Sequence, residues 1–188
     1  MIKEASIETA ITNIIDALGL DRNDPNLIGT PKRVAKAYKE IFAGLEDTEA
    51  KANTILSRTF PSNNNQMVIV DNIKVYSMCP HHLLPVECTI HIGYVPDGMV
   101  IGLSKLARIA ELYASQPILQ EDLAEKIASS ISEKLKPRGV MVVIIGKHYC
   151  MVMRGVNKRE SATTTSYVEG CFRDPSEGSR EEFLRLIK

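Results

Sequence analysis

The chain has 188 residues, 44% of them hydrophobic, enough for one compact domain with a real core and too apolar for a disordered tail. Lysine plus arginine and aspartate plus glutamate both number 23, so no global positive field draws in nucleic acid or an anionic membrane, and any anion site must be a local cluster. Aromatic residues make up only 5% and tryptophan is absent, which argues against a stacking platform for single-stranded nucleic acid.

The first turn is acidic, and no apolar run approaches the roughly 18 residues that a membrane span needs. The expectation is a soluble, cytoplasmic protein with neither a nucleic-acid nor a membrane partner. A neutral chain has little self-repulsion, which leaves a homo-oligomer open. In a reducing compartment, Cys79, Cys88, Cys150 and Cys171 read as buried thiols or metal ligands before they read as disulfides.

Ile7, Ile11, Ile14, Ile15 and Leu18 recur at helical spacing, and Gly19 supplies a stop, predicting an amphipathic helix over 7–18. Thr30-Pro31 offers a cap followed by proline at the first helical position, opening a second helix to about residue 43. There Val34, Tyr38, Ile41 and Leu45 are expected to face the core, with Lys32, Arg33, Lys36 and Lys39 on the other side, in the simplest reading a solvated face. The polar run Ser62 to Gln66 separates an N-terminal helical region, 1–62, from a main domain, 66–188.

Beyond that run the pattern turns to strands. Val68 to Val70 and Ile73 to Tyr76 flank Asp71-Asn72, which suits a tight hairpin. Val86, Cys88, Ile90, Ile92 and Tyr94 alternate with Glu87, Thr89, His91 and Gly93 as in a half-buried strand, and Pro96-Asp97-Gly98 turns the chain. Ser104 caps a helix from 105 to about 114, and Leu119, Leu123, Ile127, Ile131 and Leu135 form one row of another. A long strand over 140–156, a threonine-rich partner over 162–168 and a short helix over 180–188 complete an antiparallel sheet interrupted by a helix pair.

Cys79-Pro80-His81-His82 follows a strand, and Lys147-His148-Tyr149-Cys150 lies in the long one, so two cysteine-histidine clusters point to zinc. Cys79 and His82 can be aimed at one ion by a turn, and Cys150 would add a third ligand. Three protein ligands leave an open position, as a catalytic zinc requires, where a bound water ionises at a pKa of about 7. A closed site that recruits Cys88 and His91 is the rival, although their odd spacing sends them to opposite faces of a strand. Buried thiols without metal are a third reading.

Strand alternation from 148 predicts that His148, Cys150, Val152 and Arg154 share a face, which gives His148 a general acid or base role. His81, next to a ligand yet aimed elsewhere, is free for proton transfer. Ser104, Lys105 and Arg108 open a helix and read as a phosphate site or, more plainly, a solvated helix end. With Arg33, Lys36 and Arg154 they carry enough positive charge for a triphosphate. Gln120-Glu121 stands at a helix start, where a carboxylate commonly only complements the dipole; it can also accept two N–H donors from the edge of guanine.

Thr30 to Lys36, Cys79-x-His81-His82, Val100 to Ile109, Gln120-Glu121, His148-Tyr149-Cys150 with Arg154-Gly155, and Ser161 to Thr165 occur in one order across nearly the whole chain. This set resembles the GTP cyclohydrolase I family, the zinc enzymes of pterin and folate biosynthesis. The resemblance implies an α+β T-fold, an antiparallel sheet with a helix pair that oligomerises around a tunnel, preceded by an N-terminal helical extension. It also implies a homodecamer of two face-to-face pentamers with active sites between subunits.

By the same resemblance Cys79, His82 and Cys150 bind Zn2+. His81 protonates guanine N7, His148 the ribose ring oxygen, and Ser104 assists the ribose steps. Gln120 and Glu121 hold guanine, while Arg33, Lys36, Lys105, Arg108 and Arg154 hold the triphosphate. GTP would lose C8 as formate and close to 7,8-dihydroneopterin triphosphate. The chain departs from the family at Pro80, where glutamate is usual, and at Asp122, where a basic residue often stands. The ring-opening chemistry is expected to survive, with turnover, metal preference or final product open to change. Hydrolysis that stops at a formamidopyrimidine nucleotide, and a non-catalytic zinc-containing GTP-binding oligomer, are the alternative readings.

Overall fold

The computed structural model describes residues 1–188, which divide into two compact units, Met1–Glu46 and Asp47–Lys188. In the first, helix α1 (Glu4–Ala17) and helix α2 (Thr30–Ile41) are joined by an ion pair between Lys39 Nζ and Glu4 Oε1 at 2.6 Å. Gly19 takes φ 71°, the left-handed backbone that ends α1. Ile15, Ala35 and Phe42 are buried, and Tyr38 meets Phe42 edge to face at 5.3 Å. The expected apolar stripes are only partly covered: Ile14, Leu18, Ile41 and Leu45 stay exposed, because two helices cannot enclose so wide an apolar arc between them.

The second unit begins with helix α3 (Thr48–Ile55), whose Ala52 enters its core together with Leu56, so the polar run 62–66 lies inside this unit. Strand β1 (Thr59–Pro61) pairs with β4 (Met99–Ile101). The main sheet is antiparallel in the order β2 (Val68–Met78), β3 (Pro85–Val95), β5 (Gly139–His148), β6 (Thr163–Gly170). Helices α4 (Leu103–Ala114) and α5 (Gln120–Leu135) contribute to the core on one face. There Ile90, Ile92, Leu106, Ile109, Leu123, Ile127, Val142 and Ile144 are fully buried. On the other face, helix α7 (Ser179–Leu186) supplies Phe183, which packs with Val95, Met141, Val143 and Phe172. This second layer buries His91, Gly93 and Val95 and converts the expected half-buried strand into one covered on both sides toward its end.

Two expectations are corrected. Asp71-Asn72 does not reverse the chain: β2 runs straight through it, and the register skips between Val70 and Ile73. Asn72 adopts φ 54°, so the sequence signal marks a left-handed residue, which a bulge accommodates as readily as a turn does. Nor does the long strand reach 156. Its partner β3 begins at Pro85, and Val86 already faces His148, so the ladder has no further partner. The chain coils instead into a single helical turn, α6 (Tyr149–Val152).

Candidate metal centre and active-site cleft

The connector between β2 and β3 is a closed turn in which Cys79 N–H donates to Leu84 O and Leu83 N–H to Cys79 O, both at 2.9 Å. Leu83 takes φ 50° to complete it. This turn holds Cys79 buried and leaves His81 and His82 exposed at its tip. Cys150 comes from α6 rather than from a strand, so a helical turn, not alternation, brings its thiol back beside the end of β2. Ile118 N–H donates to Met78 O at 3.2 Å, and this tie fixes the start of α5, with Gln120 and Glu121, against the same strand end.

The donor atoms of Cys79, His82 and Cys150 lie within 4.8 Å of one another. His81 Nδ1 is 3.8 Å from Cys79 Sγ and His82 Nδ1 is 3.9 Å away, yet only His82 also joins Cys150. The two imidazole planes are inclined at 71°, so the neighbouring histidines are directed differently. Burial pushes the Cys150 thiol up from its ordinary range, and the adjacent Cys79 adds to the shift by hydrogen bonding and charge. A divalent cation offsets that penalty on the Cys150 thiolate, and two thiolates with an imidazole are a donor set suited to zinc.

Cys88 behaves otherwise. It is 1% exposed in the core, and burial raises its thiol to about 12, so it packs as a small apolar group. His91, buried against the opposite face, accepts a long contact from Asn72 N–H at 3.5 Å. The closed four-ligand site does not form.

A cleft of about 280 Å³ opens beside the cluster, lined by Cys79, His81, His82, Glu121, His148 and Cys150 among others. His148 closes β5, and burial lowers its ring pKa from the ordinary value while Glu121 opposes the shift. Its Nε2 meets Gln120 Oε1 at 2.9 Å. Arg154, beyond α6, donates from Nη1 to His82 Nε2 at 3.0 Å, so the expected single face of His148, Cys150 and Arg154 is replaced by a folded-back segment. Ser104, Lys105 and Arg108 sit in the first two turns of α4 and do not line the cleft. Arg33 and Lys36 belong to the N-terminal unit, on α2.

The sequence model for GTP cyclohydrolase I matches residues 7–188. The chain belongs to the GTP cyclohydrolase I family. It is 47% identical over 188 residues to the GTP cyclohydrolase 1 of Carboxydothermus hydrogenoformans, covering 100% of this chain and 96% of that one. Identity to the GTP cyclohydrolase 1 of Geobacillus kaustophilus is also 47%, with coverage of 100% and 98%. The Thermobifida fusca GTP cyclohydrolase 1 is 44% identical over 99% of this chain and 89% of its own. Among solved structures, the archaeosine synthase QueF-Like in its apo form aligns with 55% of this chain and 93% of its own, at a TM-score of 0.46 and 17% identity.

For a GTP cyclohydrolase I family member, Pro80 is accommodated by the local backbone: the turn bonds at Cys79, Leu83 and Leu84 need no N–H from residue 80. Gly146 is a residue of the site that sequence reasoning missed, and Thr163 and Thr165, legible only as part of a motif, join it against the Gln120 amide. The available signal was Gly146 itself, since an isolated glycine inside a strand marks a close approach.

Proposed function

We propose that this chain hydrolyses GTP at guanine C8 with release of formate, followed by ribose rearrangement and closure to 7,8-dihydroneopterin triphosphate. The observation that carries the reading is the Cys79, His82 and Cys150 donor group on the wall of the cleft that His81, His148 and Glu121 also line. Family membership supports the activity; the cleft supports the choice of residues.

Cys79, His82 and Cys150 would hold Zn2+, which supplies Lewis-acid activation of water at neutral pH. His81, inclined away from His82, protonates N7 and so makes C8 electrophilic toward water. Glu121 accepts from the N–H groups on the guanine edge. After C8 departs as formate, His148 protonates the ribose ring oxygen and the sugar opens and rearranges.

Ser104, Lys105 and Arg108 lie off the cleft lining, which supports a site completed by a second copy of the chain. In that assembly, a homodecamer of two pentamers, these residues with Arg33, Lys36 and Arg154 bind the triphosphate and assist the ribose steps. Asp47–Lys188 would form the catalytic domain and Met1–Glu46 the helical extension, a division that the two compact units support and that moves the expected boundary at 62–66 toward the N-terminus. No helix is long and apolar enough to cross a membrane, which is compatible with a cytoplasmic enzyme.

The test is to incubate zinc-loaded protein with GTP and follow formate together with the fluorescent oxidised pterin. Both products support the full reaction, and formate alone means a stop at the formamidopyrimidine nucleotide. Bound GTP with neither product overturns the enzyme reading.

A further inference from the structure

The Gln120 side chain is 5% exposed and stands where the cleft meets the sheet. Its Nε2 lies 3.0 Å from each of three acceptors, Ile144 O, Thr163 O and Thr165 Oγ1. Two of these are carbonyls, which can only accept, so this end of the amide is the NH2 group and the other end is the oxygen. The oxygen is the atom that meets His148 Nε2 at 2.9 Å. An amide oxygen cannot donate, so Nε2 of His148 must carry the hydrogen. Nδ1, which has no protein partner, is then the lone-pair nitrogen of the neutral ring.

Gly146 makes this arrangement possible from a second direction. It lies two residues before His148 on β5, hence on the same face. A Cβ at this position would overlap Gln120 Oε1 and come within 3.3 Å of His148 Nε2. Any other residue would push the amide out of line with the ring. The space left by a missing side chain and the polarity of a buried amide thus converge on one nitrogen atom.

We propose that Gln120 and Gly146 are positioning residues that hold His148 in its Nε2–H form and leave Nδ1 as the atom that exchanges a proton with the substrate. The inference rests on the proposed reaction only for the identity of that substrate. When His148 acts as an acid, the Nδ1–H proton passes to the acceptor oxygen and the N–H electron pair stays on Nδ1. The ring is left neutral with its hydrogen on Nε2, the form that Gln120 already stabilises, so no ring flip is needed to complete the transfer. Gln120 then acts through His148, and guanine recognition falls to Glu121.

The experiment uses the full-length, zinc-loaded protein with 15N-labelled histidine rings. In the wild type, the nitrogen shifts of neutral His148 should show Nε2–H and a bare Nδ1. Gln120→Met, which keeps length and removes the acceptor, should give a mixture of both tautomers, and Gly146→Ala should do the same with Gln120 still present. Pterin formation by Gln120→Met should fall in kcat by roughly tenfold to a hundredfold, with GTP affinity changed less than about twofold.

A wild-type ring protonated at Nδ1, or an unchanged tautomer in both variants, overturns the proposal. A weakened GTP affinity with an unchanged tautomer would do so as well and would return Gln120 to guanine binding. Should Gln120→Met fail to fold, Gly146→Ala and the wild-type spectrum still decide. If the wild type makes no pterin while its spectrum shows Nε2–H, the reaction fails and the positioning device stands.

Discussion

Arg154 reaches across the cluster to donate from Nη1 to His82 Nε2 at 3.0 Å, although its charge is expected to serve the triphosphate. A neutral imidazole that accepts there carries its hydrogen on Nδ1. Binding a metal through Nδ1 moves that hydrogen to Nε2, where it would confront the guanidinium; binding through Nε2 displaces Arg154 directly. By either route, metal loading releases the arginine.

Arg154→Ala should therefore bind zinc at least as tightly as the wild type while binding GTP about tenfold more weakly, the scale of one charge-assisted contact. Competition with a chromophoric chelator measures the first quantity and calorimetry with GTP the second. Weaker zinc binding would show that Arg154 supports the metal site and does not compete with it.

Ligand identity separates Cys79 and Cys150 from Cys88. Cys150→Ala and Cys79→Ala should lose stoichiometric zinc. Cys88→Ala should keep it, because that thiol is packed in the core and held near 12 by burial. His81→Ala should also retain zinc yet release no formate, since its ring is proposed to serve the substrate and not the metal. Metal analysis of the purified variants checks all four, and full zinc in Cys150→Ala would refute the ligand set.

Acid stability should depend on His91. This ring is 4% exposed, and burial lowers its pKa below the ordinary 6.5 despite the opposing charge of Asp71. The unfolded chain therefore binds a proton at a higher pH than the folded one. The stabilisation is fully present above 6.5 and is lost as pH falls through the depressed folded value. His148 is shifted in the same direction and adds to the slope. Urea midpoints taken from about pH 8 to pH 5 should fall in the wild type and fall less in His91→Gln. Equal slopes would mean that the folded structure takes up the proton without penalty.

Much of this architecture was legible because local pattern and tertiary environment agree. The row Leu123, Ile127, Ile131 and Leu135 is the buried stripe of α5, and the alternation from Val86 to Tyr94 is β3 in its observed register. The Cys79, His82 and Cys150 group was likewise readable from residue types alone. What failed depended on partners distant in sequence. Asp71-Asn72 becomes a bulge because β3 continues to pair on both sides of it, and β5 stops at His148 because β3 offers nothing beyond Pro85. Cys150 was thus found for the wrong geometric reason: the apolar run over 140–152 looks like strand throughout, and only the length of its neighbour ends it. Gln120 illustrates the same limit, since nothing local in Gln-Glu tells which side chain turns inward to the sheet.

The sheet and α7 come close together at Gly93, and this contact yields a stability prediction remote from the cleft. A Cβ on Gly93 would lie 2.5 Å from Phe183 Cδ2 and 2.6 Å from its Cε2. Phe183 is fully buried and also meets Phe172 edge to face at 6.1 Å, so its ring cannot swing away without disturbing the second core. Gly93→Ala should destabilise by about 1–3 kcal/mol, the usual consequence of overpacking. Phe183→Ala, which opens a cavity, should destabilise by about 3–5 kcal/mol. Because the clash and the ring are the same contact, Gly93→Ala should be nearly neutral in a Phe183→Leu background, where the smaller side chain makes room. Chemical denaturation of the single and double variants checks this, and additive losses would show that the sheet, not the ring, absorbs the added methyl group.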